Sequence, residues 1–390
     1  MYFSPKTSAD GLVFHYDTGN TVRSYLGEPT VNLVNPDWSA WSVDGSGQGS
    51  IGTRTLLSTY HCRIVDISAN TRQYIFAEGI SANTQYTFSV KFLKISGAPT
   101  LRFQIQAYNG GSYISAWFPA TVQIGVADIE GWQTAKYTVT TPANTTRILW
   151  FMQDGDDYTT YTHSFELKEP QIEAKSHPTP FTAGTRSATQ GLKDLTAANT
   201  INLSNVSFDS NAQMTFDGTD DYVDVGDLGT IGSSYSLECV FKSTSVTSYK
   251  NIFDMNYATY SGVTGNTGPR LEQISGQGIS VIWSGNTTNN NLYNSTPTLA
   301  ISANTYYHLA FVQNGTFGAI YLNGTLRDQI SNVQGYLQTF GDFNLGRGFI
   351  LDPSRYASGI VDMFKIFNRA LTADEVARNF NAIKSRFNIG

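Results

Sequence analysis

Apolar side chains recur along this chain at every second residue, and almost nowhere at the three-to-four spacing of a helix. Successive side chains of a strand point to opposite faces, so that rhythm marks half-buried β-strands. Tyr86, Phe88, Val90 and Phe92 fall on one face, and Leu101, Phe103, Ile105 and Ala107 repeat the pattern. Between them lies the turn signal Ser96-Gly97-Ala98-Pro99. Further along, Tyr235, Leu237, Cys239 and Phe241 alternate with Ser236, Glu238, Val240 and Lys242. This places Cys239 in a packed interior as a small, inert thiol. Asn314-Gly315 and Asn323-Gly324 flank an apolar run, and Asn-Gly supplies the positive φ of tight hairpins. The expected class is therefore all-β, as two β-sandwich (jelly-roll) domains.

One helix breaks the pattern. Thr372 and Glu375 form a capping box ahead of an apolar stripe at Val376, Phe380, Ile383 and Phe387. A short C-terminal helix is expected to close the second sandwich. Pro170, Pro178, Pro180 and Gly184 punctuate a polar stretch that reads as a linker over 171–189. It separates a β region at 31–170 from another at 190–390. A short motif recurs, Ser81-Ala82-Asn83-Thr84-Gln85-Tyr86 against Ser302-Ala303-Asn304-Thr305-Tyr306-Tyr307, each copy ahead of an alternating strand. We read it as shared turn-plus-strand chemistry.

Composition removes several function classes. The 390 residues are only 14% charged, yet 6 Trp, 22 Tyr and 23 Phe exclude a disordered chain. A formal net charge of −6 leaves no electrostatic footprint for nucleic acid or an anionic membrane. No apolar run is long enough to span a bilayer, and residues 1–10 lack the apolar core of a secretory signal. Cys62 and Cys239 lie far apart, and no Cys/His set has zinc spacing.

The stretch Met214-Thr215-Phe216-Asp217-Gly218-Thr219-Asp220-Asp221-Tyr222-Val223-Asp224-Val225 opens a longer pattern. It continues through the strand at 235–241, Tyr307-His308-Leu309-Ala310-Phe311-Val312 and Ala319-Ile320-Tyr321-Leu322-Asn323-Gly324. Gly359-Ile360-Val361-Asp362 and Phe367-Asn368-Arg369-Ala370-Leu371-Thr372 complete it. This half resembles the laminin-G-like, concanavalin A-like lectin/glucanase superfamily. Two other stretches resemble virion proteins of tailed bacteriophages that carry this domain. One is Gly11-Leu12-Val13-Phe14-His15-Tyr16-Asp17-Thr18-Gly19-Asn20. The other joins Gln171-Ile172-Glu173, Thr179-Pro180-Phe181 and Gly184-Thr185-Arg186-Ser187. In such proteins the first stretch often leads directly into the sandwich. Here about 160 residues intervene before Asp194-Leu195-Thr196. The resemblance thus implies that residues 1–30 complete the C-terminal sandwich and that 31–170, similar to a carbohydrate-binding-module jelly roll, is inserted.

The superfamily includes glycosidases, and retaining hydrolysis needs two carboxyl groups about 5–5.5 Å apart. Of the local candidates, Asp128 with Glu130 lies in the other half of the chain and lacks a third acid, and the run Asp220, Asp221 and Asp224 reads better as turn chemistry. For binding, Asp154, Asp156 and Asp157 put three carboxylates in one loop, a candidate calcium site. Trp38, Trp41, Tyr158, Tyr161 and Trp283 are the candidate sugar-stacking aromatics, with the sandwich core as the competing role for the tryptophans. The resemblance implies a non-enzymatic virion component on the phage particle surface, as a head or neck decoration or a short tail appendage. Its expected partners are other virion proteins, copies of itself and a host-surface glycan. The competing reading is a carbohydrate-active enzyme or its accessory module.

Overall fold

The computed structural model describes residues 7–45, 53–67, 71–97, 101–117, 131–154, 162–209, 211–255, 269–284, 292–294, 299–330, 338–348 and 355–390. The chain divides into two compact units, residues 1–28 with 187–390 (unit 1) and residues 29–186 (unit 2). Both are antiparallel β-sandwiches.

Unit 1 pairs an eight-stranded sheet with a seven-stranded one. The first is ordered Ser207–Phe208, Met214–Asp217, Ser358–Phe367, Ser234–Ser243, Tyr306–Asn314, Phe317–Leu322 and Thr325–Ile330, with Leu12–Asp17 also joined to Ser358–Phe367. The second runs Asn202–Ser204, Tyr222–Gly232, Gln338–Leu345, Lys250–Asp254, Arg270–Ile274, Gly278–Ser284 and Leu292–Asn294. Leu237, Cys239, Phe241, Phe311 and Phe364 meet Val223, Phe253, Leu271 and Phe343 in one core, to which the N-terminal strand adds Phe14 and Tyr16.

The helix α1, Ala373–Ile383, lies over the outer face of the eight-stranded sheet. Its capping box is formed, and Val376, Phe380 and Ile383 are buried. Phe387, expected on the same helical stripe, is buried too, but in the turn beyond the helix. Because α1 covers this face, the strand Ser234–Ser243 is buried on both sides. Glu238, which alternation alone would leave in water, is fully buried and accepts hydrogen bonds from Asn379 Nδ2 at 2.9 and 3.0 Å. Gly324 lets the helix approach: it has φ +70°, and a Cβ there would lie 2.7 Å from Phe380 Cδ1.

Unit 2 stacks two five-stranded sheets. One is ordered Gln133–Thr140, Gln85–Ser96, Thr162–Glu173, His61–Ile67 and Thr53–Ser58. The other is ordered Ser42–Gly45, Thr71–Glu78, Arg147–Asp154, Leu101–Asn109 and Ser112–Trp117. Phe88, Val90, Phe92, Phe103, Ile105 and Trp150 fill the space between them. The stretch 171–189, expected as a linker, is instead built into tertiary structure. The strand Thr162–Glu173 runs into it, and Thr185–Arg186 pairs with Thr30–Val31. Glu173, fully buried, accepts hydrogen bonds from Thr179 N at 2.7 Å and Thr30 Oγ1 at 3.0 Å.

The recurring Ser-Ala-Asn-Thr motif builds the same turn twice. Asn83 and Asn304 take φ of 52° and 58°. The Tyr86 hydroxyl accepts from Ser81 N at 2.8 Å, and the Tyr307 hydroxyl from Ser302 N at 2.9 Å.

Candidate functional site

Trp38 and Trp41 are core residues. Their relative exposures are 0% and 2%, and their rings pack at 4.9 Å from each other, with Trp41 at 5.5 Å from Trp150. That corrects their candidacy as sugar-stacking side chains, because an enclosed indole presents no face to a ligand. Asp154 ends the strand Arg147–Asp154, and Trp283 lies in Gly278–Ser284. Tyr158, Tyr161, Asp156 and Asp157 lie outside the described residues, as do Asp128 and Glu130.

The aromatic side chains that do gather at a surface are others. In Arg147–Asp154, Ile148, Trp150 and Met152 point into the core, so Arg147, Leu149 and Phe151 take the opposite face. Register aligns Leu149 with Phe76 and Gln106, and Phe151 with Tyr74 and Gln104. A row of rings results. Phe76 lies 5.6 Å from Tyr108, which lies 5.8 Å from Tyr113, while Tyr74 packs at 5.4 Å on Phe151. Tyr113 is 57% exposed and Phe76 37%. The Arg147 guanidinium sits 3.6 Å from the Phe76 ring centre and pairs with Glu78 at 3.2 Å. The Tyr108 hydroxyl donates to Gln106 Oε1 at 2.8 Å. The rings meet edge to face, at 75° and 78°, and such rings with amides and a cation beside them can meet the apolar ring faces and hydroxyl edges of a sugar chain.

Polar clusters elsewhere are mostly self-satisfied. Glu166 accepts from His61 Nε2 at 2.7 Å and from Arg63 at 2.6 and 2.9 Å. Among the described residues, Asp217, Asp220 and Asp221 form the group able to hold a cation, with carboxylate oxygens within 4.8 Å of one another. Each also serves the local fold. Asp221 accepts from Asp217 N at 2.7 Å, Asp217 from Thr219 N at 2.7 Å, and Asp220 from Asn205 Nδ2 at 2.9 Å. Burial, then the two neighbouring carboxylates, raises the Asp221 carboxyl above its ordinary range. Burial pushes the Cys62 thiol up to about 12 and that of Cys239 higher still, which leaves both unreactive.

Residues 217–377 match the Concanavalin A-like lectin/glucanases superfamily. The matched segment lies within unit 1 and holds five strands of its eight-stranded sheet whole. Solved structures match at low identity and low TM-score. The botulinum neurotoxin serotype D binding domain is 14% identical over 49% of this chain and 49% of that one, at a TM-score of 0.39. The serotype D ligand binding domain in complex with N-acetylneuraminic acid is 14% identical over 50% and 49%, at 0.40. Domain 4 of AbnA, a GH43 extracellular arabinanase from Geobacillus stearothermophilus, solved with arabinotriose, is 16% identical over 49% and 91%, at 0.37. The chain thus spans about half the length of the two toxin domains. No curated protein matches it in sequence.

The row Phe76, Tyr108 and Tyr113 was within reach of the sequence only in part. Tyr108 and Tyr113 flank the turn Asn109-Gly110-Gly111, which a hairpin would bring together. Phe76 joins them only through the partner strand Arg147–Asp154.

Proposed function

We propose that the protein is a non-enzymatic, glycan-contacting component displayed on the surface of a tailed-phage particle. The observation that carries the glycan reading is the surface row of Phe76, Tyr108 and Tyr113 beside Arg147 and Gln106 on the outer face of the sheet. The concanavalin A-like match over residues 217–377 supports the same reading. The virion setting is supported by the phage-like stretch at 11–20, whose strand Leu12–Asp17 pairs with Ser358–Phe367. Self-satisfied carboxylates and buried thiols support a binding role over bond cleavage.

Many copies on one particle turn weak contacts into useful avidity, of about 10²–10⁴-fold for linked sites. A glycan array with the recombinant protein is expected to return saturable binding that the double variant F76A/Y113A weakens about tenfold or more, since each stacked ring contributes about 0.5–1.5 kcal/mol. Binding indifferent to that variant removes the sheet-face reading. Mass spectrometry of purified particles tests the setting, and the protein's absence from them overturns it.

A further inference from the structure

Away from the aromatic row, unit 1 contains a cleft of about 630 Å³, within the ~300–1,000 Å³ typical of small-molecule sites. A β-bulge makes its floor. Val240 opposes Met363 and Phe241 opposes Val361, so Asp362 is the extra residue between them. Bulges re-aim a side chain. Asp362, 1% exposed, accepts hydrogen bonds from Thr18 Oγ1 at 3.1 Å, Met214 N at 3.2 Å and the Tyr306 hydroxyl at 2.9 Å. That hydroxyl accepts in turn from Gln213 Nε2 at 2.6 Å. The Tyr306 ring is thereby fixed, 5.2 Å from Phe387.

The rim differs from the floor. Asn211, Asn304 and Asn388 are exposed around the cleft, and their side-chain amides make no hydrogen bond among the described residues. Asn304 and Asn388 hold left-handed backbone, φ 58° and 52°, on the turn before Tyr306 and the tail after α1. Arg386, also at the rim, is ion-paired with Asp17 at 2.7 Å, so its charge is balanced.

We infer that this cleft is a binding site for a neutral, hydroxyl-rich sugar, one or two rings of a neutral glycan. A side-chain amide both donates and accepts, which matches the dual character of a sugar hydroxyl. Three uncommitted amides beside the half-buried Tyr306 ring supply both halves of such recognition. An acidic sugar is disfavoured there, because its carboxylate would lie near the carboxylates of Asp362 at the floor and of Asp17 beside Arg386. This inference rests on the carbohydrate reading above but assigns it a separate site on the other unit.

The test uses the full chain in three forms, wild type, F76A/Y113A and the quadruple variant F76A/Y113A/N304G/N388G, on an array of neutral oligosaccharides and their sialylated counterparts, with hits titrated by calorimetry. Glycine keeps the left-handed backbone while removing each amide. With the sheet-face rings removed, F76A/Y113A is expected to bind more weakly than wild type yet retain neutral-sugar binding at the cleft, the quadruple variant to lose at least tenfold of what remains, and sialylated forms to bind F76A/Y113A more weakly than their neutral parents. The cleft is overturned if no neutral sugar binds F76A/Y113A, if the quadruple variant binds like F76A/Y113A, or if the sialylated forms bind F76A/Y113A more tightly. Binding abolished in F76A/Y113A leaves the sheet-face reading standing without the cleft. Binding equal in wild type and F76A/Y113A but lost in the quadruple variant does the reverse.

Discussion

Two tyrosine hydroxyls, on Tyr86 and Tyr307, close equivalent turns in the two units by accepting from Ser81 N and Ser302 N. Tyr86→Phe is expected to lower stability by about 1 kcal/mol, the net contribution of one such bond, and Tyr307→Phe by a similar amount, read by urea titration. Asn83→Ala is expected to destabilise more than Asn83→Gly, since only glycine takes φ near 52° without strain. The repeat itself was legible in the sequence, whereas the hydroxyl bond that gives it meaning spans five positions and needs the turn to be built first. The opposite holds for Trp38 and Trp41, where residue type alone does not distinguish a core indole from a stacking one. Residue chemistry also sets the response to acid. Burial, then Lys365, holds the His308 imidazole down at about 3 and His15 at about 4, below the ordinary 6.5. Unfolding lets both take up protons as pH falls below about 6.5, so the stability they contribute is present above that pH and lost beneath it. Glu238, raised by burial to about 6, acts oppositely, gaining its proton in the folded state first. Two histidines outweigh one carboxyl, so stability at pH 5 is expected to fall below that at pH 7.5 by on the order of 2 kcal/mol. A flat profile across that interval in denaturant titrations contradicts this assignment.

At the scale of elements, α1 was the most legible feature, because its signal is local. Thr372 Oγ1 accepts from Glu375 N at 3.2 Å, and Glu375 returns a contact to Thr372 N at 2.9 Å. The Arg369 guanidinium, hydrogen-bonded to both its oxygens, holds the Glu375 carboxyl down at about 2. Thr372→Ala is expected to lower stability by about 1 kcal/mol, seen as a lower urea midpoint with unchanged slope. What the sequence did not disclose is what α1 covers. Alternation marks the two faces of Ser234–Ser243, but a second layer over the outer face comes from residues more than 130 positions away, and so Glu238 meets Asn379. The bulge at Asp362 was hidden for the same reason. An extra residue in one strand is defined only against its partner, and with it the floor of the cleft escaped sequence reasoning.

On the scale of the whole chain, one unit is continuous in sequence and the other is not. Unit 1 needs its N-terminal segment: Leu12–Asp17 pairs with Ser358–Phe367, and Phe14 and Tyr16 are wholly buried in the core. Removing residues 1–28 strips two large aromatics from that core, a loss of about 3–5 kcal/mol for each, against a typical domain stability of 5–15 kcal/mol. The truncated chain is expected to lose the cooperative unfolding transition of unit 1. Residues 29–186 stand differently. The chain leaves and re-enters unit 1 at neighbouring points, with Leu26 N donating to Gly191 O at 2.8 Å and Tyr25 bridged to Leu192. A few glycines and serines therefore suffice to reconnect Glu28 to Ser187, because closing a short loop between adjacent ends costs little entropy. The chain so shortened is expected to keep one cooperative melt and native near-ultraviolet dichroism. If it instead binds a hydrophobic dye and melts without a transition, unit 1 does not fold on its own.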